Sequence, residues 1–457
     1  MADSLNLALP LHLPSAAGEL PESWHWYALE ALCLGIFDCP HSTPNLTLDG
    51  PLIVRSQDMR SGVFRADEAA HVSDETYMER IARAEPKYGD LLYSREGTYF
   101  GIAAEVPPGV KVCLGQRMVL IRANPDVIDF RYLRFWLNSP VLNAHLMGHR
   151  DGSVAERLNL PTIRAIPIAV PPLSEQRAIA RILGALDDKI ELNRRMNETL
   201  EAIARALFQS WFVDFDPVRA KAEGRQPAEM DAATAALFPD SFEESALGPI
   251  PSGWTVQSFS ETISLIGGGT PKTSIADYWG GDLPWFSVVD APSDSDMFVI
   301  DTEKKITQAG LQNSSTRLLS PGTTIISARG TVGRCALVGV PMAMNQSCYG
   351  VQGADGRGDY FTYFSLRAAV ADLQRSSHGS VFDTITRDTF ERIMVVCPPV
   401  ELTRPYDHHI SSLMNRALAN LQESRTLAAI RDTLLPKLLS GAVRVGEVEK
   451  VALEALS

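Results

Sequence analysis

The sequence predicts an α+β protein made of two homologous modules with twisted sheets, separated by two long helices. Three observations carry this reading: a one-sided apolar periodicity over residues 173–212, a second copy of that stretch 227 residues later, and short strands repeated in the same order ahead of each copy. In the first stretch, counting by sevens from Ile179 reaches Leu186, Asn193, Leu200 and Leu207, while Ile182, Met196 and Ile203 fill the companion apolar positions of a heptad. Ser174 is the expected N-cap ahead of Glu175, and Asp214-Phe215-Asp216-Pro217 ends the run because proline cannot continue a helix. A helix of this span reaches roughly 60 Å at 1.5 Å per residue, more than one small domain needs for its own core.

The repeat fixes the architecture. A shift of 227 carries Leu186 to Leu413, Asn193 to Asn420, Leu200 to Leu427 and Leu207 to Leu434. It also carries Pro171-Pro172 to Pro398-Pro399, and Ile166-Pro167-Ile168-Ala169-Val170 to Ile393-Met394-Val395-Val396-Cys397. The modules open alike, on Trp24 and Trp254. A proline-containing turn follows (Ser42-Thr43-Pro44; Gly269-Thr270-Pro271), then a short apolar strand (Pro51-Leu52-Ile53-Val54; Pro284-Trp285-Phe286-Ser287). Further on, the strand and loop from Tyr88 to Thr98 parallels that from Pro321 to Thr331, which places Arg95 and Arg329 just ahead of a glycine. Amphipathic helices are expected over 130–146 and 360–373, and an acidic, alanine-rich linker joins the copies. One departure is Arg404-Pro405-Tyr406, so the first turns of the second long helix are expected to form differently.

Length and composition bound the function. A chain of 457 residues suits two domains plus connectors, and 45% apolar with 21% charged residues is ordinary for a globular protein. With no basic leader and no long apolar run, the sequence reads as cytoplasmic and free of membrane segments. The net charge of −13 is unevenly placed. Residues 21–172 carry 15 basic and 18 acidic side chains and 250–399 carry 11 and 14, so each module is close to balance, whereas 213–249 carries 3 and 8. Such a chain neutralises few phosphates alone, and a polyanion partner would be held with another protein's help.

Catalytic patterns are few. The six cysteines lie without CxxC or Cys/His spacing and read as buried thiols. Gly267-Gly268-Gly269-Thr270-Pro271-Lys272 lacks the spacing of a phosphate loop and reads as a tight turn. Asp290 with Glu303 and Lys305 has the D…ExK order of metal-dependent nucleases, which makes a stand-alone nuclease the enzyme-class alternative, but the first module has no counterpart. No methyltransferase motif and no metal-ligand spacing is present, so catalytic and metal residues are expected to be none. What remains is polar loops at matching places. The candidate DNA contacts are Arg95, Thr98, Gln116, Arg117, Arg150 and Ser153 in the first module, and Arg329, Thr331, Arg334, Asn345, Gln346 and Ser380 in the second. Arginine can grip guanine with two hydrogen bonds, and glycine lets the backbone approach closely.

The double module, the entry Pro171-Pro172-Leu173-Ser174-Glu175-Gln176-Arg177, the run Leu207-Phe208-Gln209-Ser210-Trp211-Phe212-Val213-Asp214-Phe215-Asp216-Pro217, and the ending Leu434-Leu435-Pro436-Lys437-Leu438-Leu439-Ser440-Gly441 together resemble the specificity subunit of Type I restriction-modification enzymes. The resemblance covers almost the whole chain. It implies target-recognition domains at 21–172 and 250–399, a central helix at 173–215, a linker at 216–249 and a C-terminal helix at 400–442, flanked by an N-terminal segment (1–20) and a tail (443–457). The helices would pack as an antiparallel coiled coil about a pseudo-twofold axis, with Asn193 and Asn420 facing one another to set register. The implied role is non-catalytic, in a restriction system for phage defence: each domain reads one half of an asymmetric bipartite site on double-stranded DNA. Two adenine-methyltransferase subunits and motor-nuclease subunits would be the partners, and S-adenosylmethionine, ATP and Mg2+ would bind on them. A structural adaptor that reads nothing is the remaining alternative.

Overall fold

The computed structural model describes residues 13–14, 19–60, 62–97, 100–148, 157–292, 296–376, 384–446 and 448. The chain divides into two compact units, 1–190 with 426–457, and 191–425. Each therefore contains one recognition module together with a length of both long helices, Leu173–Phe212 and Val400–Leu439, each 40 residues long.

In the first unit a four-stranded antiparallel sheet runs in the order Cys33–Asp38, Met118–Ala123, Asp90–Ser94, Ala103–Glu105. Every residue of Asp90–Ser94 is buried, because both sheet faces are covered. Leu91 and Tyr93 join a core with Trp24, Tyr132, Trp136, Ile179 and Leu183, while Leu92 and Leu120 pack with Val54, Met59 and Val112. A second sheet pairs Thr47–Val54 with Ala70–His71 and, in parallel, with Val112–Leu114. His25–Ala28 pairs with Pro167–Val170, tying the start of the domain to the segment that enters the first long helix.

The second unit repeats this plan. Its five-stranded sheet runs Ile263–Gly267, Cys348–Gly353, Thr324–Ser327, Cys335–Val338, Phe298–Val299. Trp279–Phe286 pairs with Lys305–Ile306 and in parallel with Ala343–Met344, and Thr255–Ser258 pairs with Met394–Cys397. The glycine run is the expected turn, not an anion cradle. A Cβ on Gly268 would lie 1.8 Å from the carbonyl oxygen of Asn345, so only glycine lets the two backbones meet there.

Several local expectations are corrected. Gln176 N–H bonds to Pro172 O at 3.1 Å, so the first long helix starts at Leu173 and Ser174 lies inside its first turn instead of capping it. Ile203 is 44% exposed: beyond Asn193 the buried positions are Asn197, Glu201, Ala204, Phe208, Trp211 and Phe212, as expected of a helix that keeps near 3.6 residues per turn and drifts off a strict heptad. The stretch 130–146 is two helices, Phe130–Leu137 and Pro140–Met147, broken where Ser139 caps the second and Pro140 opens it. The second long helix runs through Pro405, held there by burial of Leu402, Tyr406 and Ile410 and by Tyr406 Oη donating to Ala204 O at 2.8 Å. The linker contains two short helices, Asp216–Ala222 and Ala232–Ala236, and a hairpin of Phe242–Ser245 with Gly248–Pro251. Among the described residues no helix is long and apolar enough to cross a membrane.

Each domain's main helix is hydrogen-bonded at its N-terminal end to a long helix, by different residues; in the first unit Asp129 itself caps the helix by accepting from Arg131 and Tyr132 N–H. In the first unit Gln176 Oε1 accepts from Asp129 N–H at 2.8 Å, ahead of Phe130–Leu137. In the second, Asp407 accepts from Tyr360 and Phe361 N–H at 3.0 and 2.8 Å, at the start of Asp359–Ser376. Burial outweighs these bonds and pushes the Asp407 carboxyl from 3.8 up to about 6. The folded chain thus holds this proton more tightly than the unfolded one. The associated stability is complete below about pH 4 and is lost as pH rises through about 6, at most about 3 kcal/mol. Thermal unfolding of Asp407→Asn should show a flatter decline between pH 4 and 6.5 than the wild type; an unchanged slope would count against this cap as its source.

Candidate functional site

In the first unit, three sequence-predicted contacts converge on the loops after Asp90–Ser94 and Val112–Leu114. Arg95 N–H donates to Arg117 O at 3.1 Å, joining the two loops. The Arg95 guanidinium is turned inward, 17% exposed, and bonds to Asp38 at 3.2 Å; Asp38 also meets His41 at 3.3 Å. Arg117 is half exposed, pairs with Glu96 at 3.3 Å, and has a φ of 72°, a left-handed conformation that a non-glycine residue adopts only where its surroundings hold it. Gln116 donates to His41 O at 2.9 Å and accepts from Thr43 Oγ1 at 3.1 Å. Asp38, His41, Thr43 and Glu96 were not singled out in the sequence. The Thr-Pro turn was the available signal, because its equivalent, Thr270, donates to Gln346. One threonine-to-glutamine latch therefore recurs in both units.

In the second unit Ala328 N–H donates to Ser347 O at 2.8 Å, the counterpart of the Arg95 to Arg117 bond. This fixes the equivalence. Arg95 corresponds to Ala328, and Arg329 corresponds to Glu96, each of the latter pair forming an isolated bridge, to Thr384 and to Arg157. The sequence pairing of Arg95 with Arg329 is thus off by one residue, and in extended chain neighbouring side chains face opposite ways. Arg329 is exposed and, among the described residues, has no side-chain partner. Thr331 and Arg334 line a cavity of about 380 Å3 with Asp296, Tyr363, Arg367 and Gln374. Asn345 Oδ1 accepts from Ser347 N–H at 3.0 Å and so shapes its own loop. Thr98, Arg150, Ser153 and Ser380 lie outside the described residues.

The nuclease-like residues are otherwise engaged. The Asp290 carboxylate accepts from Ser287 N–H, Ser287 Oγ and Glu303 N–H at 2.7–2.8 Å, and Lys305 pairs with Asp301 at 3.1 Å. Among the described residues no group of three or more His, Cys, Asp or Glu side chains could hold a metal ion. The six cysteines are free thiols, and burial pushes those of Cys33, Cys335 and Cys348 up to about 12 and Cys113 up to about 11, away from the nucleophilic thiolate.

In the helix seam within the second unit, Asn193 and Asn420 are both 1% exposed. They meet, but not amide to amide. Asn193 Nδ2 donates to Asn420 O at 3.4 Å and to Glu423 at 2.8 Å, Asn420 Nδ2 donates to Asn197 Oδ1 at 3.0 Å, and Asn197 Nδ2 donates to Ala417 O at 3.1 Å. The partners descend on one helix as they rise on the other, which makes the packing antiparallel.

Comparison with known proteins agrees with this geometry. A family model described as the Type I restriction modification DNA specificity domain matches residues 61–202 and 251–429. The Type I restriction enzyme HindI specificity subunit of Haemophilus influenzae is 26% identical over 441 residues, covering 86% of this chain and 94% of the relative. The MjaIX specificity subunit of Methanocaldococcus jannaschii is 24% identical over 382 residues, 83% of each chain. The crystal structure of a Type I restriction-modification S subunit from M. genitalium shares the fold with a TM-score of 0.55 at 15% identity, covering 94% of this chain and 98% of that one.

The two loop arginines should separate in unfolding experiments. Arg95→Ala removes the partner of the half-buried Asp38 and should lower stability by about 1–3 kcal/mol, whereas Arg329→Ala should stay within about 0.5 kcal/mol of wild type. Equal losses in urea unfolding would contradict the assigned orientations.

Proposed function

The chain belongs to the Type I restriction-modification DNA specificity family, and from that premise we propose that each of its domains reads one half of an asymmetric, bipartite site on double-stranded DNA. The observation that carries this is the pairing of a repeated strand scaffold with unlike loops. The same backbone bond holds Arg95 to Arg117 in one domain and Ala328 to Ser347 in the other, so equivalent positions present different chemistry. Two such domains contact unlike base edges, which makes an asymmetric target. Of the two loop arginines, exposed Arg329 is the better placed to reach a base edge, and Arg95 shapes its loop through Asp38.

The helix pair is the spacer in this reading. It sets the gap between half-sites and offers the surface on which two adenine-methyltransferase subunits dock, with motor-nuclease subunits completing a restriction complex. S-adenosylmethionine, ATP and Mg2+ act on those partners, and this chain contributes recognition without catalysis. The net charge of −13 supports a division of labour in which partner subunits supply much of the phosphate neutralisation.

The asparagine layer at 193, 197 and 420 sets the register of the pair. A slipped register would leave their Nδ2 donors buried without partners, at about 1–3 kcal/mol each, whereas leucine would tolerate several registers. Replacing all three by leucine should raise the unfolding temperature while methylation spreads to sites of more than one gap length. A single retained gap would contradict the register role.

The direct test is co-expression with the cognate modification subunits and genome-wide mapping of methylated adenines. A single bipartite motif with unlike halves is expected. Methylation without sequence preference would instead support a non-reading adaptor.

A further inference from the structure

The two copies of the helix repeat differ at a charged cluster of the first unit. Arg134, on the domain helix Phe130–Leu137, is 5% exposed. Its Nη2 donates to Asp187 Oδ2 at 2.9 Å, its Nε lies 3.0 Å from Glu105, and its guanidinium stacks 4.1 Å from the Phe135 ring centre. The other oxygen of Asp187 accepts from Arg431 Nη1 on the second long helix at 2.8 Å, and Arg431 also pairs with Asp432 at 2.8 Å. Asp187, with a side chain 12% exposed, thus binds the recognition domain with one oxygen and the opposite helix with the other.

The shift of 227 carries Asp187 to Met414 and, in reverse, Arg431 to Ala204. Both are fully buried, in an apolar cluster with Phe208, Phe364 and Tyr406. Charged ties of the second unit lie elsewhere, between Glu201 and Arg367 and between Arg425 and Asp301, and Glu201 maps onto Ala428. An aromatic lock accommodates a small slide of one helix along the other, since dispersion contacts are individually weak and not directional. A carboxylate bridging one buried and one partly buried guanidinium group does not, because a displaced partner leaves charge uncompensated in a poorly solvated place.

We propose that Asp187 is the positioning residue of the first domain, coupling its seat on the helix pair to the register of the two helices and thereby enforcing a single gap length. This rests on the bipartite reading given above, and the tests keep the two apart. With cognate modification subunits, Asp187→Ala and Arg431→Ala should keep both half-site sequences but methylate sites whose gap differs by one base pair at least tenfold more than wild type does. Arg431→Lys, which keeps the charge, should restore most of the stringency. A gap as strict as wild type in both alanine variants, or an altered half-site, overturns the proposal. If wild type yields no bipartite motif, the reading of the site fails instead, and the tie itself is judged by urea unfolding of the intact chain. Arg134→Ala with Arg431→Ala should exceed the product of the single effects on the unfolding constant by at least threefold, because Asp187 then loses both partners. A multiplicative result shows that the two arginines do not meet through Asp187 and overturns the proposal on its own.

Discussion

Asn193, Asn197 and Asn420 occupy a helix seam that leucine would fill with greater stability, and each Nδ2 finds an acceptor in this alignment of the two helices. A buried amide without a partner is disfavoured by more than a well-made hydrogen bond contributes, so the layer acts chiefly by excluding other registers. Within its own unit each domain is attached to its length of the helices. Each is closed by a strand pair just before a long helix begins, His25–Ala28 with Pro167–Val170 and Thr255–Ser258 with Met394–Cys397. Each is then hydrogen-bonded or ion-paired to the helices themselves, by Gln176 and Asp187 in one unit and by Asp407 and Glu201 in the other.

The repeat keeps backbone roles and lets side chains diverge. The threonine-to-glutamine latch, the bond between the two recognition loops and the antiparallel sheet order recur. The charges do not recur: Asp38 holds Arg95 inward in the first domain, while Arg329 stands exposed in the second. This is the pattern of a scaffold that presents two different surfaces, and it fits the family to which the chain belongs.

Much of this was legible in the sequence because periodicity and repetition survive divergence. The start and end of the first long helix, the strands around Asp90–Ser94 and Thr324–Ser327, and the matching loops follow from spacing alone. What was missed depended on tertiary context. Ser174 has the chemistry of a cap, but Pro172 O takes the first turn's N–H groups. Ile203 fits a heptad, yet the drift of the helix turns Glu201 and Ala204 inward in its place. The one-residue offset between Arg95 and Arg329, by contrast, was legible, because laying Tyr88 to Thr98 on Pro321 to Thr331 already sets Arg95 opposite Ala328, as the cross-strand bonds do. The Arg134–Asp187–Arg431 tie joins residues far apart in sequence, and no local signal announces it.

The account stands or falls on whether the first domain reads its half of the target independently of the second. Residues 21–172 can be exchanged for the equivalent domain of a relative of different specificity, with an arginine kept at position 134 so that the tie to Asp187 survives. Methylated adenines mapped in cells carrying the exchanged chain and its modification subunits should show one half of the motif replaced, with the other half and the gap unchanged. A change in both halves, or in the gap alone, would contradict the claim that each domain reads separately on a fixed helical spacer.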